Sequence, residues 1–237
     1  MDLTLDINAQ CDYYTNHEFH KLAQNMNNKN TKPFSVLHTN IESLSHNFDA
    51  LERLCIDLNF PFDIIALTET WNPTCNKDKF IPKILENYQK YNGLPGTTLK
   101  SGCGLYIRSD LKCKDRKDLD IQHHDDLNEF QSKFIEVINT KGANIILGVS
   151  YRHPKKASDH TYNTWLAETL EKISNEHKTT ILLGDFNYSV LKYSLDPQVL
   201  PLLTQWLHTI FNQPLINQHA LLKTRNHPYP TTFSQTI

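Results

Sequence analysis

Thr180-Ile181-Leu182-Leu183 runs straight into Gly184-Asp185-Phe186-Asn187, and this junction constrains the chain more than any other stretch. A short apolar, β-favouring run ending in Gly, an acid and an amide reads as a buried strand leaving the core. Side chains alternate along a strand, so Asp185 and Asn187 are expected to share a direction there. A carboxylate can bind or activate a water. An amide beside it can hold an oxyanion without adding negative charge. The same residues also suit an ordinary turn, so the junction gains meaning only if other stretches agree.

They do. Residues 34–38 favour a strand, and Asn40 follows. Asp63-Ile64-Ile65-Ala66-Leu67 reads as a second buried strand, with Thr68-Glu69-Thr70-Trp71 at its end. Further strands are expected over 102–107, 134–138 and 144–150, the last running into Tyr151-Arg152-His153-Pro154. Between the strands lie helical patterns. Phe48, Leu51, Leu54, Cys55 and Leu58 recur at helical spacing, with Ser45 or Asn47 as a cap and Pro61 beyond the end. Tyr162, Trp165, Leu166, Leu170 and Ile173 mark a helix over 161–177, and Val199, Leu202, Leu203, Trp206 and Ile210 another over 198–211. Residues 72–100 hold Pro73, Pro82, Pro95, Gly93 and Gly96, so they read as loop with a little helix over 81–85. Residues 1–32 are polar and rich in Asn, and read as a loosely ordered arm with local helix over 18–23. The tail 223–237 reads as loop turning to strand. The class this predicts is α/β.

Ligand sites in such folds gather at strand ends. Asn40, Glu69, Tyr151, Asp185 and Asn187 all fall at them. A hard cation such as Mg²⁺ takes one or two carboxylates and keeps several waters, which Glu69 beside Asn40 would suit. Tyr151 and Asn187 can donate to phosphate oxygens, and Asp185 can orient or deprotonate a water. Each residue also has a plainer reading: Asn40 as a strand terminator, Glu69 as a capping or surface acid, Tyr151 as core with its hydroxyl satisfied.

Composition narrows the partners. Lys+Arg is 24 against Asp+Glu 26, a formal net charge of −2, so the basic excess of many nucleic-acid binders is missing. Lys112 to Lys117 is the one local basic run, and it reads more simply as a solvated loop. The five Cys, at 11, 55, 75, 103 and 113, form no Cys-x-x-Cys pair, so neither a disulfide framework nor a zinc site is indicated. There is no secretory signal and no apolar run near the ~18 residues of a membrane span. A reducing intracellular compartment fits.

In order along the chain, Phe34-Ser35-Val36-Leu37-His38-Thr39-Asn40-Ile41-Glu42-Ser43-Leu44, Phe62 to Trp71, Phe134-Ile135-Glu136-Val137, Gly148 to Pro154 and Leu183-Gly184-Asp185-Phe186-Asn187 resemble the signatures of the endonuclease/exonuclease/phosphatase family. The nearest branch is the endonuclease of LINE-type, non-LTR retrotransposons. Cys11-Asp12-Tyr13-Tyr14 to Leu22 is similar to the leader of such elements. The resemblance implies a DNase I-like fold: two mostly antiparallel sheets packed as a sandwich over 33–237, with helices on the outer faces. It implies phosphodiester cleavage with Mg²⁺ or Mn²⁺. By the same resemblance Asn40 and Glu69 hold the metal, Tyr151 contacts phosphate, Asp185 orients the water, and Asn187 donates to the transition state. Thr224-Arg225 is similar to the family's Pro-Thr-Arg with Lys223 in place of Pro, which makes Thr224 a phosphate contact. Double-stranded DNA is the implied substrate, a reverse transcriptase domain in the same polyprotein the implied partner, and the nucleus the implied place. In the family, a stretch like Ser234-Gln235-Thr236-Ile237 leads on to further strands and a Ser-Asp-His. His208, His219 and His227 do not stand in that context. The expectation is therefore a domain lacking its C-terminal strands, poorly soluble and without nicking activity when made as these residues alone. A non-catalytic remnant that at most binds DNA or protein, a phosphatase and an abasic-site endonuclease remain as alternatives.

Overall fold

A computed structural model describes residues 14–28, 34–71, 85–93, 101–121, 130–139, 142–153, 159–187 and 232–235. In chain order the elements are α1 (Asn16–Asn28), β1 (Ser35–Asn40), α2 (Phe48–Leu58), β2 (Ile64–Thr68), β3 (Tyr88–Asn92), β4 (Cys103–Arg108), β5 (Cys113–Asp115), β6 (Phe130–Val137), β7 (Ile145–Arg152), α3 (Asp159–Ser174), β8 (Thr179–Asp185) and β9 (Thr232–Gln235). The strands form two sheets, ordered β3-β4-β2-β1-β9 and β5-β6-β7-β8. Among the described strands, only the β1–β2 and β7–β8 pairs are parallel; the rest run antiparallel. The expected sandwich of mostly antiparallel sheets is therefore the observed fold.

Alternation along the strands divides the core into three apolar layers. Between the sheets lie Val36, Ile64, Ala66, Leu105 and Ile107 from one side and Ile135, Val137, Leu147, Val149 and Leu183 from the other. On the outer face of the first sheet, Leu37, Ile65, Leu67 and Tyr106 pack against Leu51, Cys55 and Leu58 of α2. Those three recur at helical spacing, so one face of α2 is buried. The helix ends at Asn59, whose left-handed backbone (φ 43°) lets its N–H reach the Cys55 and Ile56 carbonyls. On the outer face of the second sheet, Phe134, Ile146 and Ile173 form the third layer. Trp165 packs against it, and Phe130 meets Tyr162 edge-on at 5.2 Å.

Several local expectations change. The polar N-terminal stretch contains a full helix, α1, and its Phe19 stacks 5.9 Å from Phe62 and edge-on to Phe60 at 5.7 Å. Phe19 and Ala23, one turn apart and both buried, anchor a mostly polar sequence there. Residues 88–92 were expected to be loop and form β3. Its Tyr-Gln-Lys-Tyr-Asn sequence carries no apolar alternation, and its pairing to β4 supplies the order instead. Part of the basic run 112–117 forms β5, and Arg116 is buried rather than solvated. Asn47 occupies the N-cap of α2 without a side-chain cap bond. The expected helix over 198–211, and His208, His219, His227, Lys223 and Thr224, lie outside the described residues. Among the described residues, no helix is long and apolar enough to cross a membrane.

Candidate active site

At one end of the sandwich the apolar interior gives way to polar side chains. β1 and β2 end there side by side, with Asn40 opposite Thr68. β7 and β8 end there too, with Tyr151 opposite Asp185. Continuing each inward-facing row by two residues leads from Val36 through His38 to Asn40, and from Leu183 to Asp185. The two sheets are joined at this end by a hydrogen bond: Asn40 Nδ2 donates to Asp185 Oδ2 at 2.9 Å. The amide oxygen of Asn40 accepts the Glu42 N–H at 3.2 Å. Its side chain is therefore held from both ends.

Glu69 follows directly after β2. It is 8% exposed, and its carboxylate has no hydrogen bond or ion pair among the described residues. A buried carboxylate left in that condition is costly unless something compensates the charge. Its backbone is fixed all the same. Ser43 N donates to the Glu69 carbonyl at 2.8 Å and Leu44 N to that of Thr70 at 3.0 Å, while Thr70 N and Trp71 N donate to Gly102 and Ser101. Asn47 Nδ2 reaches back to the Ile41 and Glu42 carbonyls, each at 2.9 Å. The residue expected to cap α2 instead braces the loop that follows Asn40.

Strain gathers in the same place. Glu42, Ser43, Glu69, Trp71 and Asn187 all have positive φ without being glycine, a conformation that costs of order 1–3 kcal/mol each. Gly184 solves a related problem. A Cβ there would lie 2.0 Å from the Ser150 carbonyl oxygen, so only glycine lets β8 approach β7 closely enough to set Asp185 opposite Tyr151.

Asn187 departs from expectation. The strand ends at Asp185, and Asn187 sits in a turn with φ 51°, its N–H donating to Asp185 Oδ1 at 3.3 Å. Strand alternation therefore does not carry its side chain. Nδ2 of Asn187 donates to the Arg152 carbonyl at 2.6 Å, which leaves the second amide proton for another acceptor. Tyr151 is buried within β7 rather than beyond its end, because the strand runs to Arg152. Of the residues singled out from sequence, Asn40 and Asp185 are in direct contact. Glu69 borders them through the β1–β2 pairing, and Tyr151 and Asn187 border Asp185. Thr224 lies outside the described residues. Sequence reasoning assigned no role to Arg152, although Tyr151-Arg152-His153-Pro154 was itself a signature.

The donor set fits one kind of metal. Among the described residues no group of three or more His, Cys, Asp or Glu could hold an ion. One uncompensated buried carboxylate beside an amide oxygen suits a hydrated Mg²⁺ or Mn²⁺, which needs few protein ligands.

By sequence, no curated protein matches the chain. The endonuclease domain of TRAS1, a telomere-specific non-LTR retrotransposon, is similar with a TM-score of 0.53 and 14% identity, over 75% of this chain and 73% of that one. The Xenopus laevis APE2 catalytic domain gives 0.48 at 15% identity over 73% and 67%, and D. rerio TDP2 complexed with single strand DNA product 0.45 at 18% over 71% and 64%. At such identities these are likenesses of fold. The family model for endonucleases, exonucleases and phosphatases matches residues 22–232, a span that contains Asn40, Glu69, Tyr151, Asp185 and Asn187. The chain belongs to the endonuclease/exonuclease/phosphatase family.

Proposed function

We propose that this chain is a metal-dependent phosphodiesterase that nicks double-stranded DNA, as the endonuclease domain of a LINE-type retrotransposon protein. The observation that carries the reading is the Asn40–Asp185 hydrogen bond across the two sheets, set beside a buried Glu69 that has no compensating partner among the described residues. Asp185 takes the proton of a water as its oxygen forms the new bond to phosphorus and the opposite P–O bond breaks. Asn40 keeps that carboxylate oriented. Tyr151 and Asn187 donate to the phosphate oxygens. Glu69 and Asn40 would hold Mg²⁺ or Mn²⁺, which supplies charge neutralisation at the phosphate and the leaving oxygen. The Asn40-Ile41-Glu42-Ser43-Leu44 and Tyr151-Arg152-His153-Pro154 wording supports the retroelement branch. On that reading the protein works in the nucleus, joined to a reverse transcriptase domain.

The test is nicking of supercoiled plasmid with Mg²⁺ by the full-length protein and by its Glu69→Gln variant. Nicking that requires the metal and disappears in Glu69→Gln is the expected result. Nicking unchanged by Glu69→Gln would remove Glu69 from the site. Hydrolysis of a phosphoinositide without any nicking would replace the nuclease reading by the phosphatase one.

A further inference from the structure

Arg152 is 5% exposed at the last position of β7. Its guanidinium spans two consecutive carbonyls of the turn after β8. Nε donates to the Phe186 carbonyl at 2.8 Å, and Nη2 donates to that of Asn187 at 2.9 Å. In return, Asn187 Nδ2 donates to the Arg152 carbonyl at 2.6 Å. Three bonds thus tie one arginine to the two residues that follow Asp185. Asn187 adopts a left-handed φ of 51°, which asparagine tolerates better than most residues, and the three bonds fix that geometry. On the other side of the turn, Gly184 has already brought β8 against Ser150. Asp185 is therefore fixed from in front by a strand contact and from behind by the arginine.

We infer that Arg152 is a positioning residue, which holds Asn187 and the Asp185 carboxylate in their working geometry through the backbone of the turn. The inference rests on the reading of Asp185 and Asn187 as parts of a phosphodiesterase site. A guanidinium is suited to the task because its planar fork presents parallel N–H donors to two acceptors at once. A lysine at the same place keeps the charge but offers a point donor that cannot reproduce the fork. Displacing catalytic groups by about 1 Å can cost on the order of 10²-fold in rate.

The experiment compares wild type with Arg152→Lys and Arg152→Met in the full-length protein. Three quantities are read: kcat and KM for nicking, thermal midpoint, and hydrogen exchange of the peptide holding 184–187. Expected is a kcat lower by ~10–100-fold in Arg152→Met, with KM within about twofold and exchange at 184–187 accelerated. Arg152→Lys should recover part of kcat at an unchanged thermal midpoint. If Arg152→Met fails to fold, Arg152→Lys decides: wild-type kcat and wild-type exchange in it overturn the inference. If wild type itself does not nick, the nuclease reading fails. Exchange still decides the clamp, and protection at 184–187 equal to wild type in Arg152→Lys contradicts it.

Discussion

Where β7 and β8 begin, Glu136 on the outer face of β6 receives Lys178 Nζ at 2.7 Å, Asn144 Nδ2 at 2.7 Å and Arg116 Nη1 at 3.3 Å. Arg116 also bonds Glu176 and holds Asp118 through Nε at 2.9 Å and Nη2 at 2.7 Å. At the opposite end of the sandwich, Asp185 accepts the Asn40 amide at 2.9 Å and the Asn187 N–H at 3.3 Å, and Glu69, just after β2, receives no protein donor among the described residues. One end carries acids matched to cations; at the other, Asp185 meets only neutral donors and Glu69 meets no donor among the described residues. A compensated buried acid is explained by the fold alone. An uncompensated one such as Glu69, itself at positive φ together with Glu42, Ser43, Trp71 and Asn187, weakens the fold where it sits, and is where a ligand or a reaction is to be sought.

The sharpest break in this comparison is in rate. Asp185→Ala should reduce nicking by the active protein by ~10²–10⁴-fold while leaving the thermal midpoint near wild type. A large loss of stability with little loss of rate would put Asp185 in the class of Glu136. Stability should show the opposite pattern. Glu136→Ala leaves Arg116 and Lys178 short of an acceptor and should cost about 3–5 kcal/mol in urea unfolding. Glu69→Gln removes an unmatched charge and should be neutral or stabilising. Equal costs in the two variants would erase the distinction between the ends.

Gly184→Ala tests the geometry between these extremes. Its Cβ would meet the Ser150 carbonyl oxygen at 2.0 Å, at a φ of 155°. A loss of at least about 1–3 kcal/mol is expected, together with reduced nicking because Asp185 must move. The smallest effect is with pH. Arg116 hydrogen bonds hold the Glu176 and Asp118 carboxyls below their usual range. Burial pushes Glu136 upward, but Lys178 and Asn144 outweigh it and leave that carboxyl lowered too. A depressed acid contributes stability that is complete above its unfolded value, here 4.5 for glutamate, and is lost as pH falls through the folded value. Unfolding midpoints should therefore fall below about pH 4.5 in wild type, and fall less in Glu176→Gln. An identical acid slope in both would contradict the assignment.

Asn40, Glu69 and Asp185 were legible in the sequence because each closes an apolar run. Strand periodicity alone then places them at the end of the core. What escaped was set by partners distant in the chain. β3 has no apolar alternation and is ordered by its neighbour, and β5 hides in a run that reads as basic loop. Arg116 finds Glu136 and Glu176 at separations of 20 and 60 residues. Arg152 finds Phe186 and Asn187 at 34 and 35. No local pattern marks such an arginine as buried, because only the β7–β8 register brings its targets within reach. Asn187 was misjudged for a similar reason. Strand alternation stops at Asp185, and the turn beyond it is held by Arg152.

On the proposed function, Glu69 at the strand ends would hold a divalent cation. This is tested most directly by titrating the protein with Mn²⁺ and reading free ion by electron paramagnetic resonance, with wild type, Glu69→Gln and Glu136→Gln side by side. Saturable binding is expected in wild type and in Glu136→Gln, with affinity at least ~10-fold weaker in Glu69→Gln. Equal binding by wild type and Glu69→Gln, or a loss in Glu136→Gln alone, would contradict it.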